Sequence, residues 1–317
     1  MKPVFCLGDI CADLVLPLGM VRRSKRGEFV TREETDVVFR HGGSVANTAA
    51  GLRALGIPVQ FCGTVGDDVY GYALKEELLR IGTDVSCMAI DPSVPTLLIA
   101  IVVDEFGERT AFATHRTHAS QHQVQLGQIP QNLCETIGWL HCSGLLLREE
   151  PAAMTQLTVM CRCHEAGIPV SLDINARIES RGDEAFYANL MQAVSYSDVL
   201  FGSIEEELPL IAGAASEQAI RALTQGGRTI VARAGASGAT VYTDSATYQC
   251  PAFSVPVVDT IGAGDVYNAG FLSALFLGKS LAQANRYGNA AAAFCVMQAG
   301  GRACPSLSEL ELFLSDR

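Results

Sequence analysis

The segment Asp259-Thr260-Ile261-Gly262-Ala263-Gly264-Asp265 places two carboxylates six positions apart around a run of small residues, directly before an apolar stretch of helical length. Small residues let the backbone turn tightly, and the first N–H groups of the helix that follows have no intrahelical partner. They point at whatever anion lies above them, so Gly262, Ala263 and Gly264 are expected to build an oxyanion cradle. Asp265 falls in the first helical turn, where the macrodipole favours its charge; the sequence predicts an ionised carboxylate that accepts a hydroxyl proton. A carboxylate with a pKa of about 3.9 does not strip an alcohol in the ground state. It suffices where the proton moves late and positioned cations and N–H groups hold the charge, as in phosphoryl transfer. A glycine-rich turn by itself also opens ordinary helices; the flanking acid pair separates this one from them.

These residues need a scaffold. Short runs rich in Val, Ile and Leu alternate with amphipathic stretches of helical length through most of the 317 residues, the pattern of an α/β fold with a mostly parallel sheet covered on both faces. Strands are predicted at 4–7, 59–64, 139–142, 169–173, 199–201 and 229–234, and helices at 45–55, 71–81, 154–166, 186–195 and 217–225. Helices at 264–277 and 282–297 are expected to close the fold, with Gly278 placed as a C-cap. Two regions break the rhythm. Residues 14–39 show few helix signals, and 97–103 with 109–114 read as a β-hairpin about the turn Asp104-Glu105-Phe106-Gly107-Glu108. The expectation is one domain spanning 1–317, with elements from about 12–40 and 95–116 forming a small antiparallel sheet that serves as a lid, as a dimer interface, or as both.

Composition narrows the partners. A net charge of −11 excludes nucleic-acid binding by bulk electrostatics, and the only basic cluster, Arg22, Arg23, Lys25 and Arg26, is followed by Glu28, Glu33 and Glu34. Eleven scattered cysteines, mostly within apolar runs, fit buried free thiols in a reducing compartment. Cys161 and Cys163 beside His164 lack a second ligand pair and read as helix residues. The first strand begins within four residues, which leaves no room for a signal-peptide core, and no apolar run approaches membrane-spanning length. A cytoplasmic location and no membrane partner are expected.

A second motif, Gly42-Gly43-Ser44-Val45-Ala46-Asn47-Thr48-Ala49, precedes the first by about the separation that makes the pair recognisable. On these two segments the chain resembles the ribokinase-like, or PfkB-type, carbohydrate kinases, and the strand–helix rhythm is compatible with that family throughout. The resemblance implies a three-layer α/β/α sandwich with a small β lid, and ATP- and Mg2+-dependent phosphorylation of a hydroxyl on a sugar or sugar-like molecule, with Asp265 as catalytic base. It implies substrate contacts from Gly42, Gly43, Asn47 and Asp13, with Asp9 as the rival to Asp13 or a structural residue; taken alone, Asn47 also reads as a turn cap. For the nucleotide it implies the strand-turn Val231-Ala232-Arg233-Ala234-Gly235-Ala236-Ser237-Gly238, so that Arg233, Gly235 and Gly238 are cofactor-binding candidates. Asn289 lies where relatives approach adenine, or else on a helix surface.

One departure stands out. The family's Asn-x-x-Glu, which organises magnesium and its waters, is here Ser203-Ile204-Glu205-Glu206, so Glu206 matches and Ser203 replaces Asn. Many relatives also bind a monovalent cation, potassium, beside the cradle; the matching groups are Asp259 and the carbonyls of Ile261, Cys295, Gln298 and Gly300, with Ser306 beyond. His115, Arg116 and His118 follow the hairpin and either approach the substrate or face solvent. The family implies a homodimer. A nucleoside kinase on the same scaffold and a non-catalytic metabolite-binding regulator remain alternatives, although loss of the base, the mark of the latter, is not seen. A dinucleotide-dependent oxidoreductase requires Gly-x-Gly-x-x-Gly after the first strand, which Gly8-Asp9-Ile10-Cys11 does not supply.

Overall fold

Val4-Phe5-Cys6-Leu7 forms strand β1 (Val4–Leu7), buried at every position. A strand apolar on both sides needs cover on both faces, and Val4 and Cys6 join one apolar cluster while Phe5 and Leu7 join another. The computed structural model describes residues 1–17, 37–103, 109–114, 119–176 and 183–317. The cluster Arg22, Arg23, Lys25 and Arg26, the turn 104–108, and His115, Arg116 and His118 lie outside the described residues.

After β1 the chain enters β2 (Cys11–Pro17) and β3 (Val38–Gly42), returns through α1 (Ser44–Ala54) to β4 (Val59–Cys62), and steps aside into β5 (Thr64–Gly66). It continues through α2 (Val69–Arg80) and β6 (Ala89–Asp91) to the hairpin β7 (Leu98–Val103) and β8 (Arg109–Ala113). Beyond α3 (Leu133–Thr136), strands and helices alternate as β9 (Trp139–Ser143), α4 (Ala152–Glu165), β10 (Val170–Asp173), α5 (Glu184–Ser195), β11 (Val199–Ser203), α6 (Glu207–Ala212), α7 (Glu217–Ala222) and β12 (Thr229–Arg233). The hairpin β13 (Ala239–Tyr242) and β14 (Thr247–Cys250) precedes α8 (Ala263–Phe276), α9 (Leu281–Val296) and α10 (Leu307–Ser315).

Eight strands build the main sheet in the order β14-β13-β12-β11-β10-β9-β1-β4, parallel from β4 to β12 and antiparallel at the β13 and β14 edge. Side chains of α1, α2, α8, α9 and α10 pack in the cluster on one face, and those of α3 to α7 in the cluster on the other. This is an α/β/α sandwich with a mostly parallel sheet. A second sheet, β3-β2-β7-β8, has antiparallel outer pairs and a parallel central pair, and it joins the two sequence-distant segments that break the helical rhythm.

Three details differ from the sequence expectation. The strand expected at 59–64 divides at Gly63, where a Cβ would stand 2.8 Å from the Gly8 carbonyl; β5 then leaves the main sheet and pairs with β6. The edge hairpin β13–β14 was not anticipated, because alternating Thr247-Tyr248-Gln249-Cys250 is half-exposed and lacks a continuous apolar run. The helices expected at 264–277 and 282–297 do not end the fold, since α10 follows. Its signal is a capping box, in which Ser306 and Glu309 each accept an N–H of the other.

Helix α8 is buried from Val266 to Ala274 and packs against both α1 and α9. Glycines set the approach: a Cβ on Gly51 of α1 would lie 2.6 Å from the Ala269 Cβ, and one on Gly270 would lie 2.7 Å from the Tyr287 carbonyl. Gly51→Leu is expected to cost about 1–3 kcal/mol by overpacking. Because it pushes α1 from the helix that carries Asp265, turnover should fall further than the loss of Tm accounts for, as thermal unfolding and activity measured on the same preparation would show.

Candidate active site

Helix α8 begins at Gly262, whose φ of 75° is a left-handed conformation that favours glycine. A Cβ there would also stand 2.3 Å from the Gly301 Cα, so the loop at 299–303 sits directly on the turn. The turn is pinned from below by Asp259, which is 3% exposed. Its Oδ1 accepts the Ile261 N–H at 2.9 Å, and its Oδ2 accepts the Gly300 N–H and an N–H of Arg40, both at 3.1 Å. The Gly264 N–H lies in the first turn of α8, whereas the Ala263 N–H, expected in the cradle, donates to the Thr260 carbonyl at 3.3 Å.

Asp265 stands in the first turn of α8 and meets the N-terminus of α1. Ser44 Oγ donates to its Oδ1 at 2.7 Å, Asn47 Nδ2 donates to its Oδ2 at 2.8 Å, and Thr48 Oγ1 donates to its backbone carbonyl at 3.1 Å. The ordinary ionised carboxylate expected from the sequence is corrected here: burial pushes the Asp265 carboxyl up to about 7, the nearby Asp173 and Asp9 charges push the same way, and the Ser44 and Asn47 hydrogen bonds oppose them. Burial outweighs the helix dipole because the carboxyl lies among two helices and two other acids. The result is a proton acceptor poised near neutrality.

On the substrate side, Asp9 is the structural acid: it accepts the N–H groups of Ser44 at 2.6 Å and Val45 at 3.3 Å and so caps α1 in place of Gly43, which has no side chain to do so. Gly43 has φ 98°, and a Cβ on it would be 2.5 Å from the Ile10 Cα. Gly42 lacks a side chain because the Asp13 carboxylate fills that space, within 2.6 Å of where a Cβ would be. Asn47 is the substrate contact that the resemblance implies. Its Nδ2 is on Asp265 and Oδ1 accepts the Arg302 Nε–H at 3.1 Å, so it orients the acid. Arg302 also donates to the Gly42 carbonyl at 2.9 Å and pairs with Glu77.

The nucleotide-side residues are less uniform. Gly235 has φ 53° and open space about it, whereas a Cβ on Gly238 would lie 2.2 Å from the Cys250 carbonyl. Arg233 does not line the turn with its side chain. Its guanidinium points inward, pairing with Asp173 at 2.7 and 3.0 Å and donating to Asn268 Oδ1 at 3.0 Å and to the Gly264 carbonyl at 3.2 Å, inside the cradle. It also reaches Glu207 at 3.4 Å. Ser203 Oγ accepts the N–H groups of Glu206 and Glu207, both at 3.2 Å, so its hydroxyl supports the chain entering α6. Asn289 is neither a helix-surface residue nor open to a ligand: it is 6% exposed and its Nδ2 bonds Asn285 and the Cys250 carbonyl. Those bonds tie α9 to the edge strand.

Among the groups expected at the monovalent cation, the Ile261 and Gly300 carbonyls converge on the Cys295 thiol, with Sγ at 3.6 and 3.9 Å. The Cys295 carbonyl accepts the Gln298 N–H at 3.1 Å. The Ser306 hydroxyl caps α10 instead.

Five contributors escaped sequence reasoning. Ser44 had a local signal, three residues before Asn47 on the same helical face. Arg302, Asp173, Glu207 and Arg40 had none, because their partners are distant in sequence. Arg233→Ala leaves Asp173, 2% exposed, without its cation and is expected to cost about 3–5 kcal/mol. Denaturant unfolding of this variant, with Arg233→Ala/Asp173→Asn recovering part of the loss, measures that cost.

The pfkB family carbohydrate kinase description matches residues 1–307. The ATP-dependent ribose-1-phosphate kinase of Halopiger xanaduensis is 29% identical over 276 residues, covering 87% of each chain. A fructokinase of Escherichia coli is 32% identical over 248 residues, covering 74% of this chain and 76% of its own. The crystal structure of Vibrio cholerae fructokinase in its fructose, ADP and calcium ion bound form superposes with a TM-score of 0.81 at 26% identity, covering 99% of both chains. The sandwich and the second sheet thus have the ribokinase-like arrangement, and this chain belongs to the PfkB family of carbohydrate kinases, ATP-dependent enzymes that phosphorylate a sugar hydroxyl.

Proposed function

We propose that Asp265 is the base of this kinase, accepting the proton of the attacking sugar hydroxyl while the N–H groups at Gly262 and Gly264 hold the transferring phosphoryl. The observation that carries this reading is the carboxyl of Asp265 at about 7, held by Ser44 and Asn47 beside a helix N-terminus. Transfer through a loose transition state places negative charge on the phosphoryl oxygens, which the cradle and the α8 dipole meet. Asp13, on β2 against Gly42, faces the same cleft and is assigned to the other sugar hydroxyls.

ATP lies along the β12 turn, with Gly235 allowing its close approach. Magnesium neutralises the phosphates when bound. Glu206, an exposed carboxylate at the head of α6, suits an ion held largely by phosphates and water. Arg233 positions Gly264 through its hydrogen bond to that carbonyl. The sheet β3-β2-β7-β8 acts as a lid, standing on β2 and β3, which carry Asp13 and Gly42. Val38 and Phe112 on that sheet are 40% and 56% exposed, apolar surface that a second copy would cover in a homodimer. Among the described residues no helix is long and apolar enough to cross a membrane.

A panel of pentoses, hexoses, sugar acids, sugar phosphates and nucleosides with ATP tests the reading, with ADP formation as readout. Asp265→Asn should reduce turnover roughly 10²–10⁴-fold, and near wild-type turnover would remove Asp265 from the role. The kcat/KM of the wild type should climb with pH through about 7 to a plateau. Ser44→Ala deletes a hydrogen bond to the charged form, so that limb should move to higher pH. The folded carboxyl is raised above its ordinary 3.8 and retains a proton the unfolded chain has released. Its contribution to stability therefore falls as pH rises from about 4 to about 7, a decline absent in Asp265→Asn.

A further inference from the structure

We propose that Arg40 supplies, from within the protein, the positive charge that a bound monovalent cation would bring to the cradle, so that this kinase works without potassium. The donor set expected for that ion does not fit one. Both oxygens of Asp259 are already engaged, Oδ1 by Ile261 N–H and Oδ2 by Gly300 N–H and the Arg40 guanidinium at 3.1 Å. The carbonyls of Ile261 and Gly300 meet the Cys295 sulfur at 3.6 and 3.9 Å, a soft partner unsuited to a hard alkali cation. Arg40 carries the same unit charge as potassium and lies over the same loop, since a Cβ on Gly300 would be 3.4 Å from its Cδ.

The arrangement also differs from a metal in what it connects. Arg40 is on β3, paired across the strands with Asp13 of β2, whereas Asp259 precedes the cradle. A potassium ion would tie the cradle loop to itself; the guanidinium ties it to the sheet that carries the substrate acid. A cleft of about 290 Å3 bounded by Arg40, His41, Glu77, Gly301 and Arg302 exposes only the arginine side of this ion pair, because the Asp259 side chain is buried.

The inference rests on the kinase reading, but its first test does not need turnover. Thermal unfolding of wild type, Arg40→Ala and Arg40→Gln is compared in potassium chloride and in tetramethylammonium chloride at equal ionic strength. The wild type should show the same Tm in both salts. The variants should melt lower in tetramethylammonium and recover selectively in potassium. Potassium-selective stabilisation of the wild type, or variants of unchanged Tm indifferent to the salt, overturns the proposal. In the kinetic arm, wild-type kcat should stay within about twofold between the salts, while Arg40→Gln loses roughly tenfold or more without potassium and regains part of it with potassium. Wild-type activation by potassium beyond that range overturns the proposal as well. Failure of every sugar to turn over would defeat the kinase assignment and leave the melting result standing.

Discussion

The meeting of two helix N-termini at Asp265 is the constraint on which the rest of the structure depends. Helix α8 brings the carboxyl, and α1 brings the Ser44 hydroxyl and the Asn47 amide that hold its two oxygens. For those contacts to form, the helices must approach closely, which Gly51 against Ala269 permits. The acid must also be drawn far enough from water for its proton affinity to rise, and the packing of α1 against α8 leaves it half-buried. A surface aspartate at a helix start would remain a weak base; packing between helices raises the proton affinity of the same residue.

Burying an acid beside Asp9 and Asp173 creates a surplus of negative charge, and the surrounding chain is organised to answer it. Asp9 is satisfied by the N–H groups of α1. Asp173 is satisfied by Arg233 and Asn268, and that same arginine reaches the Gly264 carbonyl of the cradle. Arg302 balances Glu77 while orienting Asn47. Charged groups removed from water are tolerated when each is paired and hydrogen-bonded, and here each pairing also fixes a piece of the site. The cations hold the catalytic geometry through the acids.

The legible part of the molecule was the part written locally. β1 is a run of four buried residues, and its bounds agree with the apolar run in the sequence. α1 and α2 lie within two residues of where periodicity put them, and Gly278 ends α8 with φ 71° as its position suggested. The hairpin β7–β8 was also visible, because strand-forming residues flank a turn. The half-exposed β13 and β14 were not, since an edge strand carries only a weak alternation. α10 carries its own local signal, the capping box of Ser306 and Glu309.

The sequence alone determined the chemistry available: two acids about a glycine turn, a second glycine pair before Ser44 and Asn47, and the strand–helix alternation that brings them together. These are short-range patterns, and short-range patterns set backbone turns, helix starts and which face is apolar. Tertiary structure decided what each group does. It raised the proton affinity of Asp265, tied Asn47 to that acid and to Arg302, buried Asn289, and placed Arg40 on Asp259 across 219 positions of sequence. Desolvation and pairing belong to the packed environment, which spacing along a chain does not contain.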